Sequence, residues 1–178
     1  MISGYVEEPG WYTPTYVSAR ILFDRTGELA ATLERLRSES GRIARERTPE
    51  AYDGYLNSFV RSIKAARRGD ELGRRLHAAE SALALVRTLF GLESTWPPYL
   101  DRLTDALPPI EEAQGWPSGY LATALTRLVT DGDQAFQQDL EQRVETLMDS
   151  RGVHHEWGND LEPLKALAPA VSEDRDLA

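Results

Sequence analysis

Apolar residues recur at helical spacing through most of the chain after Gly27. In the stretch "GELAATLERLRSESGRIARER", Leu29, Leu33, Leu36 and Ile43 share one broad face. Thr48-Pro49-Glu50 then reads as a helix start, with Thr48 as N-cap and Pro49 in the first helical position. That helix is expected to run to about Arg68, closed by Gly69, with Asp70 capping a successor that reaches about Phe90. In the successor, Leu72, Leu76, Ala79, Leu83, Val86 and Phe90 follow alternating steps of four and three. This stripe predicts burial of Leu76, Leu83, Val86 and Phe90 against Leu56, Phe59 and Ile63. "TWPPYLDRLTDAL" reads as a break and a short helix, and "PPIEEAQGWPSG" as a loop. "YLATALTRLV" follows, Asp133 caps "QAFQQDLEQRVETLMDSRG", and a last short helix lies near Leu161 to Leu167.

The strand signal is confined to "TYVSARILF", Thr15 to Phe23, where Tyr16, Ala19 and Ile21 are mixed with Ser18 and Arg20, and the turn "DRTG" follows. One strand is not stable alone, so it pairs with Met1 to Trp11, lies on the helices as an extended segment, or belongs to a sheet outside the chain. The pattern thus predicts a mostly α fold, an antiparallel bundle of about six helices with one short N-terminal strand or extended segment. The expected divisions are an extended segment over 1–26, a helical bundle over 27–168 and a disordered acidic tail over 169–178.

Composition narrows the classes. The sequence has 178 residues, 41% hydrophobic and 28% charged, which suits one globular domain. It contains no cysteine, which excludes disulfides and thiolate chemistry and fits a cytoplasmic setting. No apolar run is long enough for a membrane span, and "MISGYVEEPGW" has no secretory n-region. A formal net charge of -9 argues against general nucleic-acid binding.

The charge is uneven, and this changes the picture. Between Val60 and Arg75, six cations stand against Asp70 and Glu71, a local +4 that leaves -13 for the rest of the chain. On a helical wheel Asn57, Arg61, Lys64 and Arg68 fall on one face, opposite Tyr55, Leu56, Phe59, Val60 and Ile63. Such a stripe suits phosphate, or pairs with acids on a partner or on this chain's own helices. Glu80 on the following helix is the candidate ion-pair partner across the antiparallel pair.

Other constellations are weaker. "HHEWGND" offers His154, His155, Glu156 and Asp160, but adjacent imidazoles diverge and fix no ligand geometry. Asp133 in "TDGD" reads as an N-cap, and Asp24 as the first residue of a turn. The phosphate-binding, nucleophile-elbow and zinc-protease signatures are absent. Trp11, Trp96, Trp116 and Trp157 each adjoin Pro, Gly or Tyr and read as loop anchors.

The segment "YLNSFVRSIKAARRGDELGRRLHAAESALALVRTLFGLESTWPPYLDRL", Tyr55 to Leu103, resembles the helical C-terminal region of bacterial minimal nucleotidyltransferases related to the aminoglycoside and lincosamide enzymes. The resemblance lies in a helix with an Asn and several cations leading into "RRG", a helix with "AE", and an aromatic-Pro-Tyr segment. "YVSARILFDRTGELAATLERL" resembles the last catalytic strand and its exit, so the likeness extends over Thr15 to Leu167. It implies a substrate- and nucleotide-facing domain that is not catalytic alone, with Asn57, Arg61, Lys64 and Arg68 contacting phosphate. Mg²⁺ and a nucleoside triphosphate are implied only where a catalytic domain is present, with a small-molecule acceptor as the other substrate. That family's Gly-Ser loop and following Asp-x-Asp strand have no counterpart in this sequence, so the catalytic half is expected elsewhere. The alternative expectation is a non-catalytic helical interaction protein.

Overall fold

The computed structural model describes residues 13–155, 157 and 161–165. The elements run α1 (Thr13–Val17), α2 (Glu28–Glu46), α3 (Thr48–Arg67), α4 (Glu71–Leu92), a 3-10 turn (Leu100–Arg102), α5 (Leu103–Gln114), α6 (Tyr120–Thr130), α7 (Gln134–Ser150) and α8 (Glu162–Lys165). This is a helical bundle, and no strand occurs among the described residues. The expected tail over 169–178, and the pairing of a strand with Met1 to Trp11, lie outside the described residues.

The strand expected over Thr15 to Phe23 is not formed. Thr13–Val17 is helical, and Ser18 Oγ closes that turn by donating to Pro14 O at 2.7 Å. Tyr16 and Val17 of this helix, with Ala19 and Ile21 of the irregular residues after it, lie on Leu33 and Leu36 of α2. Arg37 donates from Nε to Val17 O at 2.9 Å and from a terminal nitrogen to Ala19 O at 3.0 Å. A guanidinium thus satisfies carbonyls that a sheet would otherwise have to pair.

α3 and α4 form the central antiparallel pair. Thr48 lies against Gly91 at one end, Gly54 against Ala84 midway, and Ser62 Oγ donates to Arg74 O at 2.9 Å near the other end. α6 packs on α4, α7 on α3, α5 on α6, and α2 reaches both members of the pair. The core joins Tyr52, Tyr55, Leu56, Phe59 and Ile63 of α3 to Leu85 and Leu89 of α4, with Leu121 and Leu128 of α6 and Leu140 and Val144 of α7.

Several expected boundaries hold. Gly69 adopts φ 71° after α3, and Asp70 N reaches back to Ala65 O at 3.0 Å, the glycine-based stop of an α-helix. Asp70 caps α4 by accepting from Gly73 N at 2.8 Å, and Asp133 caps α7 by accepting from Phe136 N at 2.7 Å. Asp24 accepts from Gly27 N at 3.0 Å and Ala30 N at 2.8 Å, so it ties the turn to the first turn of α2. Those backbone N–H groups, Ala30 first, hold its carboxyl below the usual range despite some desolvation.

Two boundaries differ. Thr48 is not an N-cap: it sits inside the first turn of α3, fully buried, and donates from Oγ1 to Ala44 O at 3.2 Å. Its hydroxyl extends the bonding of α2, so only Arg47 separates the two helices. Pro108 and Pro109, expected in a loop, lie inside α5. Both face solvent while Leu107, Ile110 and Glu111 face inward. The carbonyls that lose their N–H partners are therefore open to water. Glu111, on the inward face, accepts from Gly119 N at 2.8 Å and Leu121 N at 2.7 Å, which caps α6.

Candidate functional site

The outer face of α3 carries the cations that the wheel grouped. The buried arc of α3 holds Tyr52, Tyr55, Leu56, Phe59, Val60 and Ile63, which turns Arg61, Lys64 and Arg68 to solvent and leaves Asn57 half-buried. Arg67 is exposed beside them. None of these four cations has an ion-pair partner among the described residues. Their place in the last turns of α3 accounts for part of the pattern, since cations there complement the carboxyl end of the helix dipole. Glu80 does not meet them: its Oε2 lies 2.9 Å from His77 Nδ1, one turn earlier on the same helix.

The inward face of α4 is rotated from the predicted one. Leu72, Leu76 and Leu83 are 70%, 57% and 45% exposed. Ala78, Ser81, Ala82, Leu85, Thr88 and Leu89 point inward instead, with Val86 and Phe90 also buried. The cause is the close approach of α3. Small residues at the seam let two backbones come near, and Ser81 and Thr88 satisfy their hydroxyls within the helix, on Ala78 O at 2.7 Å and Ala84 O at 2.9 Å. Larger leucines one arc away are left outside. The antiparallel register fixed by Ser62–Arg74 and Gly54–Ala84 puts Arg61 at the level of Leu76. Leu72 and Leu76 therefore lie at the level of the unpaired cations along the hairpin, and Leu83 lies midway, next to Ala84.

At the opposite end, a cleft of about 450 Å³ opens where α2 turns into α3 and α4 ends. Its floor is small, from Ala44, Ala51, Gly54, Ala84 and Gly91, and Trp96 forms a wall. Trp96 is fixed by donating from Nε1 to Ser40 O at 2.9 Å, and the guanidinium of Arg47 sits 5.9 Å from its ring centre. Arg47, Glu50 and Arg87 line the cleft, each without an ion-pair partner among the described residues. The two glycines differ in cause. A Cβ on Gly91 would run into Thr48 Oγ1 and stand 3.0 Å from Ala44 O, so packing demands glycine there. A Cβ on Gly54 would meet only Ala84 Cβ, at 3.8 Å, so packing does not. A mid-helix glycine costs about 1 kcal/mol relative to alanine, and here it keeps the cleft open.

A third polar group is sealed in the core. Glu141 of α7 is buried, with Tyr52 donating to its Oε1 across 3.4 Å and Lys165 Nζ at 3.6 Å. Lys165 also pairs with Glu145, which holds α8 on α7, and with Glu162 within α8. Glu141 Oε2 and the neighbouring His155 Nδ1 have no hydrogen-bond partner among the described residues. Burial pushes the Glu141 carboxyl up to about 8, beyond what the opposing charge of Lys165 restores. Burial, reinforced by Glu141, also raises the hydroxyls of Tyr52 and Tyr55, which stay protonated. The sequence does carry a signal for this group: Gln137, Leu140, Glu141, Val144 and Met148 share one helical arc, so an acid stands on an apolar face. Arg47, Arg87 and Trp96, by contrast, come from three separate elements and share no sequence pattern.

The remaining candidates separate. His154 is exposed with Nδ1 3.5 Å from Asp149, while His155 packs against the Tyr52 ring at 5.8 Å, so the two imidazoles diverge. Glu156 and Asp160 lie outside the described residues. Among the described residues no group of three or more His, Asp or Glu side chains is placed to hold a metal ion, and no helix is long and apolar enough to cross a membrane. Trp116 packs edge-on against Tyr120 at 5.2 Å, and Trp157 lies against the core; Trp11 is outside the described residues. No family model, curated protein or solved structure matches the chain.

Proposed function

We propose that this chain is a non-catalytic helical interaction module whose α3–α4 outer face receives an acidic amphipathic helix of a partner protein. One observation carries the reading: Leu72 and Leu76 stand exposed on α4 at the level of the unpaired Arg61, Lys64 and Arg68 of α3, with Leu83 exposed two turns further along α4. Glu71 and Glu80 stand exposed along the leucines on α4 and the unpaired cations stand on α3, so the complement is a helix with leucines on one face and carboxylates along the edge that lies over α3. The leucines supply affinity by leaving water, and the cations supply orientation and encounter rate. The rest of the chain is acidic, so the partner is selected by this patch against a repelling background. The cysteine-free composition suits a cytoplasmic site of action.

The test is fluorescence anisotropy with a labelled synthetic helix of about 20 residues bearing Leu at i, i+4, i+7 and i+11 flanked by Glu. Binding is expected to weaken at least about tenfold in Leu76→Asp/Leu83→Asp, and similarly in Arg61→Glu/Lys64→Glu. Affinity indifferent to both double substitutions contradicts the proposal. So does a stable dimer of the chain that Leu76→Asp/Leu83→Asp dissolves, because a second copy would then be the occupant.

The same unpaired cations support a second reading, the nucleotide-facing role that the resemblance implies. Arg61, Lys64 and Arg68, with Asn57 beside them, would then hold the phosphates of a triphosphate. The described carboxylates do not form a metal-binding set, so no step through Mg²⁺ is assigned to this chain. Competition separates the readings: Mg²⁺-ATP that displaces the labelled helix at micromolar concentration favours phosphate, and failure to displace it favours the helix.

A further inference from the structure

We propose that the cleft beside Trp96 is a binding site for a small aromatic monoanion, of the aryl carboxylate class. It runs from the middle of the hairpin, at Gly54 and Ala84, to Trp96, includes none of Leu72, Leu76 and Leu83 in its lining, and is independent of the docking reading. Its volume of about 450 Å³ is in the range of small-molecule sites, roughly 300–1,000 Å³. Its chemistry is specific. The floor of alanine and glycine methyls and methylenes accepts a flat apolar body, and Trp96, clamped by its bond to Ser40 O, offers a fixed aromatic wall. Arg47 and Arg87 bring two guanidinium groups with no carboxylate partner among the described residues, so an incoming anion displaces no internal ion pair. Glu50 sets the charge of the ligand. With one acid beside two cations, the site favours a single negative charge over a double one.

Gly54 is the independent observation. Nothing in the packing of α3 on α4 requires glycine there, since an added Cβ meets only Ala84 Cβ at ordinary distance. The residue weakens its helix, and the space it leaves belongs to the cleft. A site shaped by selection for a ligand and a helix shaped by selection for stability make opposite demands at this position, and glycine answers the first.

The experiment is calorimetric titration of the full chain with 2-naphthoate, 2-naphthalenemethanol and 2-naphthyl phosphate, which share one ring system and differ in charge. The expected result is one saturable site for naphthoate, at least about tenfold tighter than for the neutral alcohol or the dianion. Arg87→Gln is expected to lower naphthoate affinity about tenfold with an unchanged melting temperature, because Arg87 is exposed and bears no internal bond. Gly54→Ala is expected to raise the melting temperature while lowering affinity, and Gly54→Leu to abolish binding. Equal affinity for the alcohol, tighter binding of the phosphate, no saturable binding up to about 5 mM, or unchanged affinity in both Arg87→Gln and Gly54→Leu would each overturn the assignment.

Discussion

Glu141 shows how a single buried carboxyl sets a pH dependence. Its unfolded value is the ordinary 4.5 and its folded value is about 8, so between these limits the native state holds a proton that the unfolded chain has released. Stability from this group is therefore complete below about pH 4.5 and falls as pH rises through 8, with a slope of at most about 1.4 kcal/mol per unit. Lys165 works outside that window. Burial opposes its charge, but Glu145, Glu141 and Glu162 outweigh this and raise it above 10.5. Glu141→Gln is expected to flatten the fall in stability between pH 5 and pH 8 seen by urea denaturation of the native chain. An unchanged pH profile in the variant would show that Glu141 stays ionised in the fold. At the same scale, the rotated face of α4 reverses an expectation drawn from spacing alone. Leu85→Ala, at a fully buried position, is expected to cost about 2–5 kcal/mol. Leu83→Ala, 45% exposed, is expected to cost less than about 1 kcal/mol by the same denaturation measurement.

Helix limits in this chain are written in short-range chemistry, which is why most of them were legible. Gly69, Asp70 and Asp133 act through bonds to residues within five positions, so sequence alone places them. The face that α4 buries is not written that way. Leu72, Leu76 and Leu83 form as regular a stripe as Ala78, Ala82, Leu85 and Leu89, and only the partner helix decides between them. Small residues won because α3 comes close at Gly54–Ala84 and Ser62–Arg74. Strand propensity at Thr15 to Phe23 failed for a related reason, as Leu33, Leu36 and Arg37 give those residues an apolar seat and bonds for their carbonyls. The basic stripe was legible because it needs only the helical period, whereas the Trp96 cleft needs three elements to meet. Glycines on these helices make a paired prediction. Gly69→Ala is expected to lower stability by about 1 kcal/mol, since φ 71° suits only glycine well. Gly54→Ala is expected to raise it by up to about 1 kcal/mol, both read from thermal or urea unfolding.

The molecule as a whole is acidic, and a concentrated basic region lies on the hairpin at the centre of the bundle. Because α3 and α4 contribute about half of the core, their outer face is held rigidly, and a partner laid across it meets a preorganised surface. Cations with no internal acid to satisfy them lose little when that partner arrives, and salt should weaken the encounter more than the final packing of leucines. Hydrogen–deuterium exchange of the full chain, with and without the acidic amphipathic helix, tests this most directly. The docking account predicts that the bound helix slows exchange across the facing ends of α3 and α4, from Arg61 to Leu83, and leaves α6 and α7 unchanged. Protection confined to α6 and α7, or binding with no protection between Arg61 and Leu83, would contradict it.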